Sequence, residues 1–420
     1  MKCIVSHPNI APYIKESVLA YQEHGLLKKF RTTYFQHPEY PFTRSLIRFF
    51  PQFEKEFKRR NIEEIAYQHL KGHPFFEMLR VFSARTLHPW IENRIWEKSE
   101  YNFDRWVAST LRSDIQWVHT YEHAALWTLL KAKKMGITSF HEQSSQHHQF
   151  LLKIIKEQLA LYPELNCIST KLMLDNQAVK SEIRKDRELK ECNYILCNSQ
   201  FTSITLEQAG IFRKKILVIP YGFPEVKSPK TERGGMKTTF LFSGNQCLRK
   251  GIHLLYKAWI ACNFDPSKAE LIIVGKNQLP ESIRQGLPSS VQFIHNIPHQ
   301  DMMELYNLAD VFVFPTLADG FGMVISEAMS KGVPVITTYN SGGPDVIEHN
   351  KNGFLVEAGN VEAFAEQMKW CFEHPQATRQ IGIRAMETAA AYPWKAYRKK
   401  LVEVVLDRVN TDLKSTDQVI

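Results

Sequence analysis

Apolar residues in this chain fall into short unbroken runs separated by stretches of helical spacing. The order is most regular in the second half. "TTFLF" (238–242), "ELIIVG" (270–275), "VQFIH" (291–295), "DVFVFP" (310–315) and "VPVITT" (333–338) read as strands. Between them "GIHLLYKAWIAC" (251–262), "HQDMMELYNLA" (299–309), residues 322–331 and the short "GPDVIEHN" (343–350) read as helices. The strand runs lack apolar–polar alternation, as strands buried on both faces do. Such runs alternating with helices predict a parallel sheet covered on both sides.

The first half starts the same way. "KCIVSH" (2–7) and "KFRTTYF" (29–35) read as strands around a helix from Ile14 to His24. An irregular, aromatic-rich helical stretch follows, about 43–110. The sheet resumes with "DIQWVHT" (114–120), a helix from Glu122 to Met135, "ITSF" (137–140), "CNYILCN" (192–198) and "KILVIP" (215–220). The pattern predicts an α/β chain of two doubly wound domains. Residues 1–220 form the first, with the helical insertion at 43–110. Residues 221–392 form the second, and 393–420 a last helix and a frayed tail. The polar "KSPKTERGG" (227–235) reads as a linker, and no solenoid period occurs.

Composition narrows the class. The 420 residues are 44% hydrophobic and 23% charged, enough for sizeable cores. No run reaches the roughly 20 apolar residues of a membrane-spanning helix. The opening "MKCIVSHPNIAPYI" reads as a first strand, not a signal peptide. Seven scattered cysteines without a CxxC pair argue against a disulfide framework and for a reducing cytoplasm. The net charge of +9 fits nucleic acid, an anionic membrane or a phosphorylated small molecule, and does not separate them.

The chemistry concentrates in "LADGFGMVISEAMSKGVPVI" (317–336). Asp319 lies in the turn after a strand, Gly320 and Gly322 follow it, and Glu327 comes eight residues after Asp319. Ligands of open parallel sheets bind beyond the carboxyl ends of the strands. A helix start exposes N–H groups and a partial positive charge, which suits phosphate. Carboxylates only accept hydrogen bonds, so they match sugar hydroxyls. Glu327 falls at the edge of the stripe made by Val324, Ile325, Ala328 and Met329, within reach of the sheet's rim. An isolated acid pair at this spacing is common, and alone it reads as a turn and a solvated helix. A second turn changes that. In "LFSGNQCLRKGIHLLYKAW" (241–259) a strand ends at Ser243–Gly244, and Arg249–Lys250–Gly251 opens a helix. Two cations at a second helix start make a second anion site.

Three stretches, "GNQCLRKGIHLLYKAW", "ADGFGMVISEAMSKGVPVITT" and "GGPDVIEHNKNGFLV", resemble the retaining glycosyltransferases of family 4. The resemblance is specific over the second half and thinner over the first, in "VIPYGF", "CNSQFTS" and "FHEQSSQHHQF". It implies the GT-B architecture: two Rossmann-like domains facing across a cleft, the first holding the acceptor and the second the donor, with the final helix crossing back. It also implies a metal-independent transfer from a nucleotide-diphosphate sugar to a hydroxyl acceptor, with no cofactor, in cell-surface polysaccharide or glycolipid synthesis. The family's E-x7-E pair carries over as Asp319, facing sugar hydroxyls and one methylene shorter here, and Glu327, facing the ribose. The backbone of Gly320, Phe321, Gly322, Met323 and Val324 is expected along the sugar and phosphates. The family's Gly-Arg turn departs, with Gly244 kept and Asn245 after it; Arg249 beside Lys250 is expected to take over the missing charge. A first-domain histidine should line the reaction centre. His119, Tyr121 and His123 are candidates, with His119 favoured as the strand's end. No glycine turn occurs in "SHPNIAPY" (6–13), so the acceptor side is less defined.

"HEQSSQHH" (141–148) lacks HxxxH pairing, and no metal site is expected from it. "FTRSLIRFFPQFEKEFKRR" (42–60) sets six cations against two acids, with phenylalanines at helical spacing. It fits a peripheral contact with an anionic cytoplasmic membrane face and a lipid-linked acceptor. It fits equally a stripe buried on the first domain, with a saccharide acceptor. A GT-B sugar-nucleotide epimerase or phosphorylase, a catalytically dead scaffold, and a basic nucleic-acid binder are the rival readings. The acid-flanked phosphate turns argue against nucleic acid as partner.

Overall fold

A computed structural model describes residues 1–40, 60–75, 89–226 and 237–417. The first sheet contains β1 (Cys3–Ser6), β2 (Leu27–Thr32), β3 (Leu70–Gly72), β4 (Trp117–Tyr121), β5 (Thr138–Gln143), β6 (Tyr194–Cys197) and β7 (Ile216–Val218). Its order is β3-β2-β1-β4-β5-β6-β7, and every pairing is parallel. The second contains β8 (Thr238–Ser243), β9 (Ala269–Val274), β10 (Val291–Ile294), β11 (Val311–Phe314), β12 (Val335–Thr338) and β13 (Phe354–Val356). Its order is β10-β9-β8-β11-β12-β13, again all parallel. Both orders reverse direction once, between β1 and β4 and between β8 and β11. Such reversals open the crevices in which doubly wound sheets bind ligands.

The unbroken apolar runs are the central strands. All four side chains of β1, β11 and β12 are buried, as are all five of β4. The expected second strand stops at Thr32, and the 43–110 stretch is not all helix. Its described part supplies the edge strand β3 and the helix Pro89–Ser109. A three-residue edge strand is too short to show a period. Residues 227–236, which include the whole expected linker, lie outside the described residues. So does the basic stretch, except Arg60. The Arg60 guanidinium is buried and donates to the Pro8 carbonyl (3.3 Å) and the Thr33 hydroxyl (3.1 Å).

The chain returns to the first domain at its end. Phe223 N–H donates to the Tyr392 carbonyl at 2.8 Å, and the last helix, Trp394–Asp417, starts beside it. That helix packs along the helix Pro12–Glu23. Tyr397 and Ser17 share a hydroxyl–hydroxyl bond of 2.9 Å, and Arg398 pairs with Glu23 at 3.0 Å. Further along, Asp412 accepts from Thr138 (3.0 Å) and Tyr194 (2.8 Å) of the first sheet.

Candidate donor cleft and its relatives

The site grows from the loops after β8 and β11, which flank the second sheet's reversal. After β8 the chain makes a one-turn 3-10 helix, Leu248–Lys250, and enters the helix Ile252–Cys262 through Gly251. Gly251 has φ +67°, and a Cβ there would lie 1.9 Å from the Pro315 carbonyl oxygen. Only glycine allows that approach, and it brings the two loops together. Leu317 N–H donates to the Arg249 carbonyl at 2.9 Å. The Arg249 guanidinium donates to the Ala318 carbonyl at 2.8 Å and to Asp319 Oδ2 at 3.0 Å. Lys250 Nζ donates to the same Oδ2, and its ammonium lies 4.6 Å from the centre of the Phe314 ring.

This trio is mostly buried, with Asp319 and Lys250 side chains each 15% exposed. Burial alone would raise the Asp319 carboxyl, but the two cations outweigh it and hold it down at about 2. Burial pulls the Lys250 ammonium below its ordinary value, and the Asp319 carboxylate offsets part of that. Charge is therefore stored at the foot of the helix Met323–Ser330, whose N-cap is Gly322.

Glu327 lies on that helix, 16% exposed. It accepts from the Tyr306 hydroxyl at 3.2 Å, and Tyr306 bonds Ser243, the last residue of β8, at 2.8 Å. His299 Nδ1 stands 3.9 Å from its other oxygen. Burial raises its carboxyl above the usual range, and His299 partly opposes that. The rim position expected from helical spacing is the one observed, although Val324 is only half-buried. Gly244 donates to the Val274 carbonyl at 3.0 Å, and Asn245 is exposed at the tip of the turn.

The first domain reaches the same loop. A Cβ on Gly320 would lie 2.1 Å from the Ser144 carbonyl oxygen, so the glycine lets the two domains touch there. The Gly320 carbonyl accepts from Ser199, and Phe321 is buried with its ring 5.4 Å from that of Tyr221. Met323 and Val324 form the helix's first turn. Its N–H groups have no partners within the helix itself.

His119 is not where the sequence led us to expect it. β4 runs on to Tyr121, so His119 sits mid-strand and fully buried. Its Nδ1 meets the Tyr21 hydroxyl at 3.0 Å and its Nε2 meets Glu142 Oε2 at 3.0 Å. Its ring stacks on Tyr121 at 4.8 Å. With both nitrogens engaged in the core, it cannot touch substrate. Tyr121 is also buried. His123 is the candidate that clears the strand. Its ring is partly open and lines a pocket of about 260 Å³ between the helices Pro89–Ser109, His148–Leu161 and Asn176–Glu191. Desolvation and the Lys185 ammonium push its imidazole down to about 3, so it is neutral at physiological pH.

In "HEQSSQHH", His141 is buried in β5 and bonds Thr120 at 3.1 Å. His147 Nε2 and His148 Nε2 face Asp186 Oδ1 at 3.2 and 2.6 Å, and the three ligand-type atoms lie within 4.8 Å of one another. Gln149 N–H points at His147 Nδ1 (3.3 Å), which leaves the His147 proton on Nε2, toward the carboxylate. The grouping is that of two imidazole N–H donors on one acceptor. Ser199 and Asp345 lie in the quoted stretches "CNSQFTS" and "GGPDVIEHNKNGFLV" without being singled out there, and Asp186 and Glu188 were not found from sequence. They are distant in the chain, and no local pattern distinguishes them.

Residues 225–388 match the family of glycosyl transferases group 1. Over 242 residues the chain is 24% identical to the capsular polysaccharide biosynthesis glycosyltransferase CapM of Staphylococcus aureus, covering 56% of this chain and 59% of that protein. Over 148 residues it is 28% identical to the D-inositol 3-phosphate glycosyltransferase of Corynebacterium diphtheriae, covering 35% and 34%. The chain thus spans about a third to three-fifths of the length of these relatives. Anabaena HepE, solved in complex with UDP, superposes with a TM-score of 0.63 at 17% identity, over 97% of this chain and all of that one. Sucrose-phosphate synthase from Thermosynechococcus elongatus gives 0.62 at 18%, over 98% and 100%. The resemblance read from the motifs is borne out: the chain has the GT-B fold, and residues 225–388, most of its second domain, are similar to the group 1 glycosyl transferases.

Proposed function

We propose that the protein is a retaining glycosyltransferase, which moves a sugar from a nucleotide-diphosphate sugar to a hydroxyl acceptor without a metal. The observation that carries this is the convergence of Arg249 and Lys250 on Asp319, at the foot of a helix start and at the second sheet's reversal. The cations are positioned for a diphosphate, with the Asp319 carboxylate holding the place until one arrives. The helix N–H groups add to that field. Once displaced, Asp319 is free to accept from the donor sugar, and Glu327 from the ribose. Support comes from HepE, whose crystals hold UDP or UDP-glucose. The relatives are named as transferases, which favours transfer over epimerisation.

In the transfer, the bond from the anomeric carbon to the diphosphate oxygen breaks while the acceptor oxygen bonds the same carbon on the same face. The acceptor's proton passes to the leaving phosphate, so no protein base is required. Lys250, Arg249 and the helix start stabilise the charge that grows on that phosphate. His123 is our candidate for the place expected of His119: it follows β4 at the first sheet's reversal, and Glu122 beside it accepts from Ser145 at the contact between the domains. CapM, named for capsular polysaccharide biosynthesis, supports cell-surface polysaccharide as the setting. Seven free cysteines suit a cytoplasmic protein. Among the described residues no helix is long and apolar enough to cross a membrane. The basic stretch 42–60 is the proposed contact with an anionic bilayer.

A thermal-shift panel of UDP, GDP, ADP and their sugars tests the reading. One nucleotide family is expected to raise the melting temperature selectively, by linkage. No shift with any of them at millimolar concentration would overturn the donor site.

A further inference from the structure

Three non-glycine residues in the described chain have positive φ: Asn263 at 51°, Asn350 at 65° and His123 at 86°. Asparagine adopts this region readily because its short side chain bonds the local backbone. Histidine is far less suited to it, and strained backbone of this kind gathers where function requires it. Something must hold His123 in this shape.

That something is Glu188. Its side chain is fully buried on the helix Asn176–Glu191 and reaches under the loop after β4. Oε2 accepts from His123 N–H at 3.1 Å. Oε1 accepts from Ala125 N–H at 3.1 Å and from Leu126 N–H at 3.2 Å. The helix Leu126–Lys134 that begins here has an alanine N-cap with no side-chain bond of its own. Glu188 therefore supplies the missing cap and fixes the strained residue with one carboxylate. A second buried acid, Asp104, completes the cap by accepting from Trp127 N–H (2.7 Å) and Thr128 N–H (2.9 Å). Asp104 takes only the helix end, so the His123 peptide depends on Glu188. His141 Nε2 and Arg184 are the other polar groups nearby. The first stands 3.9 Å from Glu188 Oε2, and the second is engaged with Glu100 at 2.9 Å.

We propose that Glu188 is a positioning residue for sugar transfer: by holding the His123 peptide it fixes the imidazole beside Glu122, whose carboxylate accepts from Ser145 next to the Ser144–Gly320 contact between the domains. This rests on the glycosyltransferase reading above. Glu188 touches no substrate and acts only through His123. Burial pushes the Glu188 carboxyl up to about 8, against Arg184 and the N–H donors, and the ionised form is the one that meets all three N–H groups with both of its oxygens. An amide at the same place accepts on one side and turns an NH2 toward a donor on the other.

The test is a double-mutant cycle of Glu188→Gln and His123→Ala in the full chain. Turnover is read as nucleotide release from whichever nucleotide sugar the thermal-shift panel selects. Glu188→Gln is expected to lower kcat about tenfold to a hundredfold, as a group moved off its reacting geometry does, while donor KM stays within twofold. In the His123→Ala background the same change is expected to have no further effect. An equal loss in both backgrounds, or no loss in either, overturns the proposal. A substrate-free arm separates its failure from that of the transferase reading. The His123 imidazole carbon–proton resonance, assigned with His123→Ala, is expected to move in Glu188→Gln. A resonance left in place overturns the positioning role even if no nucleotide sugar is ever turned over.

Discussion

Lys250 and Arg249 donate to one and the same oxygen of Asp319, Oδ2, and so a single carboxylate meets both cations. The short aspartate side chain places its charge directly between the two cations. In the donor site proposed here, an arriving diphosphate would take over both bonds.

Lys250→Ala should lower turnover by on the order of a hundredfold or more, with a smaller effect on donor affinity, because its charge acts most on the departing phosphate. Steady-state kinetics on the selected nucleotide sugar checks this. A change confined to KM would leave Lys250 a binding role only.

Asp319→Ala should behave oppositely toward nucleotide and sugar. It leaves two mostly buried cations without their partner, which destabilises the free protein by about 3 kcal/mol, the low end for a broken buried pair because Arg249 keeps 29% exposure. UDP or pyrophosphate should restore that stability and bind at least as tightly as to the wild type. Sugar transfer should be lost. Calorimetry with UDP decides it, and weaker binding than wild type sinks the account of Asp319 as a place-holder.

Glu327→Ala should weaken donor binding and remove most transfer, since the ribose loses its acceptor. The fold should survive, because Tyr306 keeps its bond to Ser243. Wild-type donor affinity in a folded variant would remove Glu327 from the site.

Asp345 joins the domains. It accepts from Gln200 N–H, at 3.1 and 3.2 Å, at the first turn of the helix Gln200–Gln208. Burial pushes its carboxyl up to about 6. The folded chain therefore holds this proton more tightly than the unfolded chain, whose value is about 3.9. The group's contribution to stability is full below that lower value and is lost as pH rises through about 6. Asp345→Asn cannot ionise, so its melting temperature relative to wild type should rise between pH 5 and pH 7.5. A difference that does not change with pH refutes the assignment.

EDTA treatment should leave turnover unchanged in the wild type, since phosphate charge is met by Lys250, Arg249 and a helix start. Loss of activity restored by a divalent ion would contradict this mechanism.

Much of the second domain was legible in the residues themselves. The strands β8, β11 and β12 declare themselves because a strand buried on both faces needs an unbroken apolar run, a purely local property, whereas β10 at the sheet edge is half-buried to exposed. The Gly251 turn, the Gly322 helix start and the rim position of Glu327 are local too, set by glycine's backbone freedom and the helical period. Tertiary structure decided what lies across long distances in the chain. Sequence spacing marked His119 as a strand end, but packing made it a core residue satisfied by Tyr21 and Glu142. His123, two positions past the end of β4, is half-buried, and its peptide N–H donates to Glu188, 65 residues away. Asp319 was legible as an acid at a ligand loop. Its pairing with Lys250 and Arg249 was not, because hydrogen-bond partners are chosen by the fold and leave no trace in spacing.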